Sequence, residues 1–162
     1  MAEDVAKGIA ENRWMFVIRA LNHPGTLTAA AAVFSNRGVS LEGFLGSGVD
    51  TTTVADGRLL FSFRATQAKQ DLLKRSLERL PSIFQVDAYP YNDERLRAIA
   101  IAKLTLDAQV EATERLHVEI ILYTEDSRLL LLSGETGVVE SAIARLRQQQ
   151  QLKDVVMSAI TV

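Results

Sequence analysis

The chain has 162 residues, 48% of them hydrophobic and 23% charged, with a formal net charge of −2, which suits one medium or two small globular domains with a real core. No run of Lys or Arg offers a footprint for nucleic acid or an anionic membrane, and the lack of any cysteine excludes a disulfide framework, a thiol nucleophile and a thiolate metal site. Neither a signal peptide nor an apolar stretch near the roughly 20 residues of a spanning helix is visible, so the expected location is the cytoplasm.

Residues 1–13 carry no apolar stripe and read as a loose lead-in. Residues 14–21 alternate as a strand, with Trp14, Phe16, Ile18 and Ala20 on one face and Met15, Val17, Arg19 and Leu21 on the other. A helix is predicted over 27–37 from Leu27, Ala30, Ala31 and Phe34 at helical spacing, closed by Gly38. Its run Ala29-Ala30-Ala31-Ala32 reads equally as a low-profile face for close approach by another helix or subunit and as the best helix-forming residue used repeatedly. Strands are predicted over 39–49, with Val39, Leu41, Gly43 and Leu45 on one face, and over 59–66, joined by a hairpin loop at 50–57. Gly46-Ser47-Gly48 is followed by neither a lysine nor a helix, so it reads as a strand irregularity rather than a phosphate loop. Helix 67–80 buries Leu72, Leu73, Leu77 and Leu80, keeps its charges on a solvated face and stops at Pro81. Residues 83–89 supply a fourth strand.

Residues 90–97, with Pro90 and the Asn92-Asp93 pair, read as a linker after a complete βαββαβ series in 14–89. The series then repeats over 98–162: strand 98–105, short helix 107–116 with Asp107 as N-cap, strand 117–124, strand 127–133, turn 134–137, helix 138–146 finished by the four glutamines 148–151, and strand 154–162. The fold class expected is α+β, two ferredoxin-like βαββαβ sandwiches in tandem, each an antiparallel sheet with helices on one face.

The stretch with chemical content is the first strand-to-helix turn, Asn22-His23-Pro24-Gly25-Thr26-Leu27. Pro24 fixes φ and Gly25 reaches φ values other residues avoid, so the turn is expected to leave the amides of Gly25, Thr26 and Leu27 unpaired at a helix start, where anions are favoured. Asn22 adds a carbonyl and an amide beside them, a combination suited to a small zwitterion; an ordinary capped turn explains the same residues. The corresponding place in the second half has Leu106-Asp107 and no such glycine, which points to packing or subunit contact instead. Catalytic residues are not expected. His23 lies in a loop with no partner fixed by spacing, and His117 with Glu119 falls short of the three ligands of catalytic zinc. Asp93-Glu94 and Glu125-Asp126 sit in turns, and no nucleophile-base set or dinucleotide fingerprint exists.

The turn Asn22-His23-Pro24-Gly25-Thr26-Leu27, the helix end Phe34-Ser35-Asn36-Arg37-Gly38 and the following Val39-Ser40-Leu41-Glu42 resemble the ACT-domain family, arranged as in the small regulatory subunit of acetolactate (acetohydroxyacid) synthase. The likeness is strong over the first half and looser over the second. It implies a noncatalytic chain, carrying no cofactor of its own, that binds valine or a related branched-chain amino acid between two first domains of a homodimer. Asn22, Gly25, Thr26 and Leu27 of one subunit and Ser40 with Leu41 of its mate would form that site. Ser40 departs from the asparagine usual there, offering one hydroxyl where an amide would span two contacts. The implied partner is the catalytic large subunit, which holds thiamine diphosphate; the alternative is a stand-alone tandem ACT sensor or adaptor without a synthase partner.

Overall fold

A computed structural model describes residues 10–48 and 57–161, so most of the expected lead-in and of the 50–57 hairpin loop lies outside the described residues. The chain divides into two compact units between Tyr91 and Asn92. The first runs β1 (Asn12–Ala20), α1 (Thr26–Ser35), β2 (Leu41–Gly48), β3 (Gly57–Ala65), α2 (Gln67–Leu77) and β4 (Ile83–Pro90). Its antiparallel sheet has the order β2-β3-β1-β4.

Alternation decides which side chains meet. Phe16, Ile18 and Ala20 of β1 and Phe61, Phe63 and Ala65 of β3 share the face over which α1 lays Ala30, Val33 and Phe34, and α2 lays Leu73 and Leu77. Phe34 is the centrepiece, its ring centroid 5.0 Å from Phe63, 5.4 Å from Phe61 and 6.1 Å from Phe16 in tilted or edge-on contacts, the geometry that aromatic quadrupoles prefer. The Thr66 hydroxyl caps α2 by accepting from the Lys69 amide at 3.3 Å. Met15, Val17 and Leu60, on the opposite face, are also buried, which accounts for a first strand apolar on both sides.

The expected face assignment of the second strand is overturned. Pairing shifts between Leu41 and Gly43, so Glu42 is an extra, bulged residue whose carboxylate takes Arg13 and, at 2.7 Å, Arg64. Leu41 pairs with Phe63 on the helix side, but beyond the bulge it is Phe44, opposite Phe61, that faces this way, while Gly43 and Leu45 turn to the other face. A bulge flips every later side chain.

The second unit runs β5 (Arg97–Leu104), β6 (Leu116–Tyr123), β7 (Arg128–Glu135), α3 (Thr136–Gln148) and β8 (Leu152–Ile160), in the sheet order β6-β7-β5-β8. Ala98, Ala100 and Ala102 line the floor on which Val139, Ala142, Ile143 and Leu146 of α3 rest. The expected turn at 134–137 does not form, because β7 runs to Glu135 and α3 starts at Thr136. The glutamine run does end the helix, with Gln149 as its C-cap and Gln150 at φ 57°.

The helix expected over 107–116 is absent; the connection from Thr105 to Arg115 is turn and coil, closed by a bridge from Thr113 to Leu116. Leu106, Ala108, Val110 and Ala112 alternate in the sequence, and only Ala108 and Val110 reach the core. A period of two gives a short helix no continuous stripe to bury, and a segment this short does not hold itself.

Candidate functional site

The turn after β1 is built as a helix start with open donors. Gly25 is the N-cap of α1 at φ 89° and ψ −19°, with no side chain capping the helix. A left-handed residue there turns the chain abruptly into the helix, a conformation expensive for any side chain with a Cβ. The Thr26 amide bonds back to the His23 carbonyl at 3.3 Å, so it is not the free donor expected, and the Thr26 side chain is buried rather than presented. The amides of Gly25, Leu27 and Thr28 have no acceptor among the described residues. His23 braces the turn: its Nδ1 lies 3.0 Å from the Pro24 carbonyl oxygen and 3.4 Å from the Thr26 hydroxyl.

Asn22 is exposed and lies against the far end of β2. A Cβ built on Gly48 would collide with the Asn22 side-chain amide, and one on Gly57 would stand 2.8 Å from the Ala20 carbonyl oxygen and 3.2 Å from the Asn22 amide nitrogen. Gly48 and Gly57 are register partners, so the close of the β2–β3 pair is a glycine floor beneath Asn22. The sequence signal for this was Gly46-Ser47-Gly48, whose meaning depends on a neighbour distant in the chain.

Ser40 and Leu41 lie at the other end of α1. Ten residues of helix separate them from the turn by about 15 Å, and a single chain does not bring the two sets together. Between the ends, Leu27, Thr28, Ala31, Ala32, Leu41 and Phe44 line an apolar groove of about 480 Å³ along the flank of α1, and Ser40 borders a neighbouring depression floored by Phe34 and Val39. Phe44 is 63% exposed on edge strand β2.

A larger groove lies elsewhere, in the second unit between α3 and the helix-less connection. Its wall is polar, with Arg115 Nε donating to Glu135 at 2.8 Å, and that partner holds the Glu135 carboxyl below its usual pKa. The first turn of α3, Thr136 to Val138, has no side-chain cap and lines this groove as well. Among the described residues no group of three His, Cys, Asp or Glu side chains is placed to hold a metal ion. His117 and Glu119 are 4.0 Å apart and both well exposed. No helix among the described residues is long and apolar enough to cross a membrane.

No protein-family model matches the chain, and no curated protein does. Among solved structures, the small subunit of acetolactate synthase from Thermotoga maritima matches over 95% of this chain and 98% of its own, with a TM-score of 0.68 at 17% identity. The fold is that of two ACT-type domains in tandem. The regulatory subunit of aspartate kinase from Thermus thermophilus aligns over 86% of this chain and 95% of its own, with a TM-score of 0.45 and 14% identity. The departure of this chain from the tandem ACT pattern is the helix missing between β5 and β6.

Proposed function

We propose that the chain is a noncatalytic regulatory subunit that binds a branched-chain amino acid, valine foremost, between two copies of its first ACT unit, and modulates a thiamine-diphosphate-dependent acetolactate synthase. The observation that carries this reading is the turn at Gly25: three amides at a helix start with no acceptor among the described residues, in the same turn as Asn22, whose side chain lies against Gly48 of β2. The amides suit a carboxylate, and the Asn22 side-chain carbonyl suits an ammonium.

One chain supplies only half of such a site. β2 runs back along α1, starting near the helix end at Leu41 and finishing at Gly48 beside Asn22. Antiparallel pairing of two β2 edges about a twofold axis sets Leu41 of one copy beside Gly48 of the other, bringing Ser40 and Leu41 to the mate's Asn22 and Gly25. The same movement covers Phe44, Leu27 and Ala31, and the alanines keep the flank low enough for the approach. An effector shared in this way stabilises the pair by RT ln(1 + [L]/Kd), about 2.7 kcal/mol at ~100 times Kd. It regulates the synthase only as far as the paired and unpaired states bind that partner differently, a coupling of about 1–3 kcal/mol. The missing helix of the second unit favours a second reading, a stand-alone sensor; co-purification of the full chain with a thiamine-dependent synthase separates the two.

Titration calorimetry of the full chain against the twenty amino acids is the test. A branched-chain amino acid should bind with one molecule per chain. Gly25→Asp should abolish binding by setting a carboxylate against that of the effector, while the isosteric Gly25→Asn, equally tolerant of positive φ, should keep it. Equal binding by the two variants, or no binding by any amino acid, refutes the site.

A further inference from the structure

The outer face of the second sheet, away from α3, carries an open aliphatic patch set among polar positions. Cross-strand partners share a face, so the register sets Val156, Ile101 and Leu131 in one row and Asp154, Lys103, Leu129 and Leu122 in the next. Ile99 lies one step along β5, between Ser133 and Ser158. Ile99 and Ile101 are each 39% exposed, Leu122 51% and Val156 74%, whereas Met15, Val17 and Leu60, on the matching face of the first sheet, are 2–5% exposed.

We propose that this face seats a second copy of the chain, packed sheet against sheet about a twofold axis, as an association surface separate from the β2 edge. Area is the first argument. Four strands about 4.8 Å apart, with eight residues in β5 at about 3.3 Å each, present roughly 500 Å² in plan, and side-chain relief raises this toward the roughly 800 Å² per partner of a stable dimer. Its centre is a contiguous aliphatic patch of roughly 300 Å², too large for isolated exposed residues.

Charge is the second argument. Lys103 sits between Asp154 and Leu129, and Glu119 beside Leu131 with His117 two residues before it. Both signs lie on the rim, so a twofold mate can meet Lys103 with an acid and no block of like charge opposes contact. Aligned sheets about 10 Å apart need branched aliphatic side chains between them, and this face carries them.

Sedimentation of the full chain at micromolar concentration tests the surface. Phe44→Lys, which disrupts any β2 seam, should still sediment as a dimer, and Phe44→Lys with Ile101→Lys should be a monomer, each lysine weakening its own contact at least tenfold. Val156→Lys replaces Ile101→Lys if the latter lowers the melting temperature. A monomeric Phe44→Lys chain, or a double variant that remains dimeric, overturns the proposal. The β2 seam fails by a different result, a monomeric Ile101→Lys chain.

Discussion

Alanine at Gly48 and alanine at Gly57 should have opposite consequences, although the two glycines face each other across β2 and β3. At Gly48 the new methyl meets only the end of the Asn22 side chain, which is exposed and free to rotate away. The fold should therefore change by no more than about 0.5 kcal/mol, the range of surface substitutions. The displaced carboxamide, however, leaves the position it holds in the proposed site. A hydrogen bond to a charged ligand contributes about 1.5–3 kcal/mol, so affinity for the amino acid should fall about 10- to 150-fold. At Gly57 the methyl stands 2.8 Å from the Ala20 carbonyl oxygen and 3.3 Å from the Leu21 carbonyl carbon, backbone atoms pinned by the β1–β3 ladder. Overpacking against a fixed backbone costs about 1–3 kcal/mol, which lowers the urea midpoint by about 1 M.

Trp14, the only tryptophan, makes the stability half of this comparison clean. It lies in β1 with its indole N–H donating to the Ala65 carbonyl at 3.0 Å, so its fluorescence follows the first unit even where the two units unfold separately. Calorimetry with valine gives the affinity half. A Gly48→Ala chain that binds as the parent does would show that Asn22 is not a ligand group, and a Gly57→Ala chain with an unshifted Trp14 transition would refute the packing argument.

Two further outcomes follow from the packing and the charges. Phe34→Ala removes the ring on which Phe16, Phe61 and Phe63 converge and should destabilise the first unit by about 3–5 kcal/mol, read as an earlier Trp14 transition in urea. In the second unit, hydrogen bonds from Lys153 first, then Ser127 and Thr124, hold the Asp126 carboxyl down at about 2, against an ordinary value of 3.8. A carboxyl with a depressed folded pKa contributes stability above its unfolded pKa and loses it as pH falls toward the folded one, so the deficit of Asp126→Asn in circular-dichroism melts should be full at neutral pH and vanish between about 4 and 2. Because the pair is exposed, added salt should shrink the deficit.

Where the determinants of an element are neighbours in the chain, they were legible in the sequence. Phe16 and Ile18 alternate, Leu73 and Leu77 fall on one helical stripe, and Pro24-Gly25 announces a sharp turn; each became the element expected. The bulge at Glu42 was not legible, because it is held by Arg13 on one strand and Arg64 on another, and the apparent alternation of Val39, Leu41, Gly43 and Leu45 continued straight through it. The false helix at 107–116 had the opposite cause. Its residues are adequate helix formers, but their apolar period is two, and nothing adjacent could stabilise a helix whose inward stripe includes Glu111 and Arg115.

The turn was read correctly as to shape but only partly as to chemistry, for one physical reason. Local sequence determines that Gly25 takes a positive φ, but which amides remain open depends on where the carbonyls of the turn point: His23 claims Thr26, while Thr28, not singled out by the sequence, is left unpaired. The placement of Asn22 depends on Gly48 and Gly57 across the sheet, so in the proposed site the donors are local and the acceptor is tertiary. A site assembled in this way can lose Asn22 without losing the fold. Gly48→Ala, by moving that side chain alone, separates recognition from stability more cleanly than any change within the turn itself.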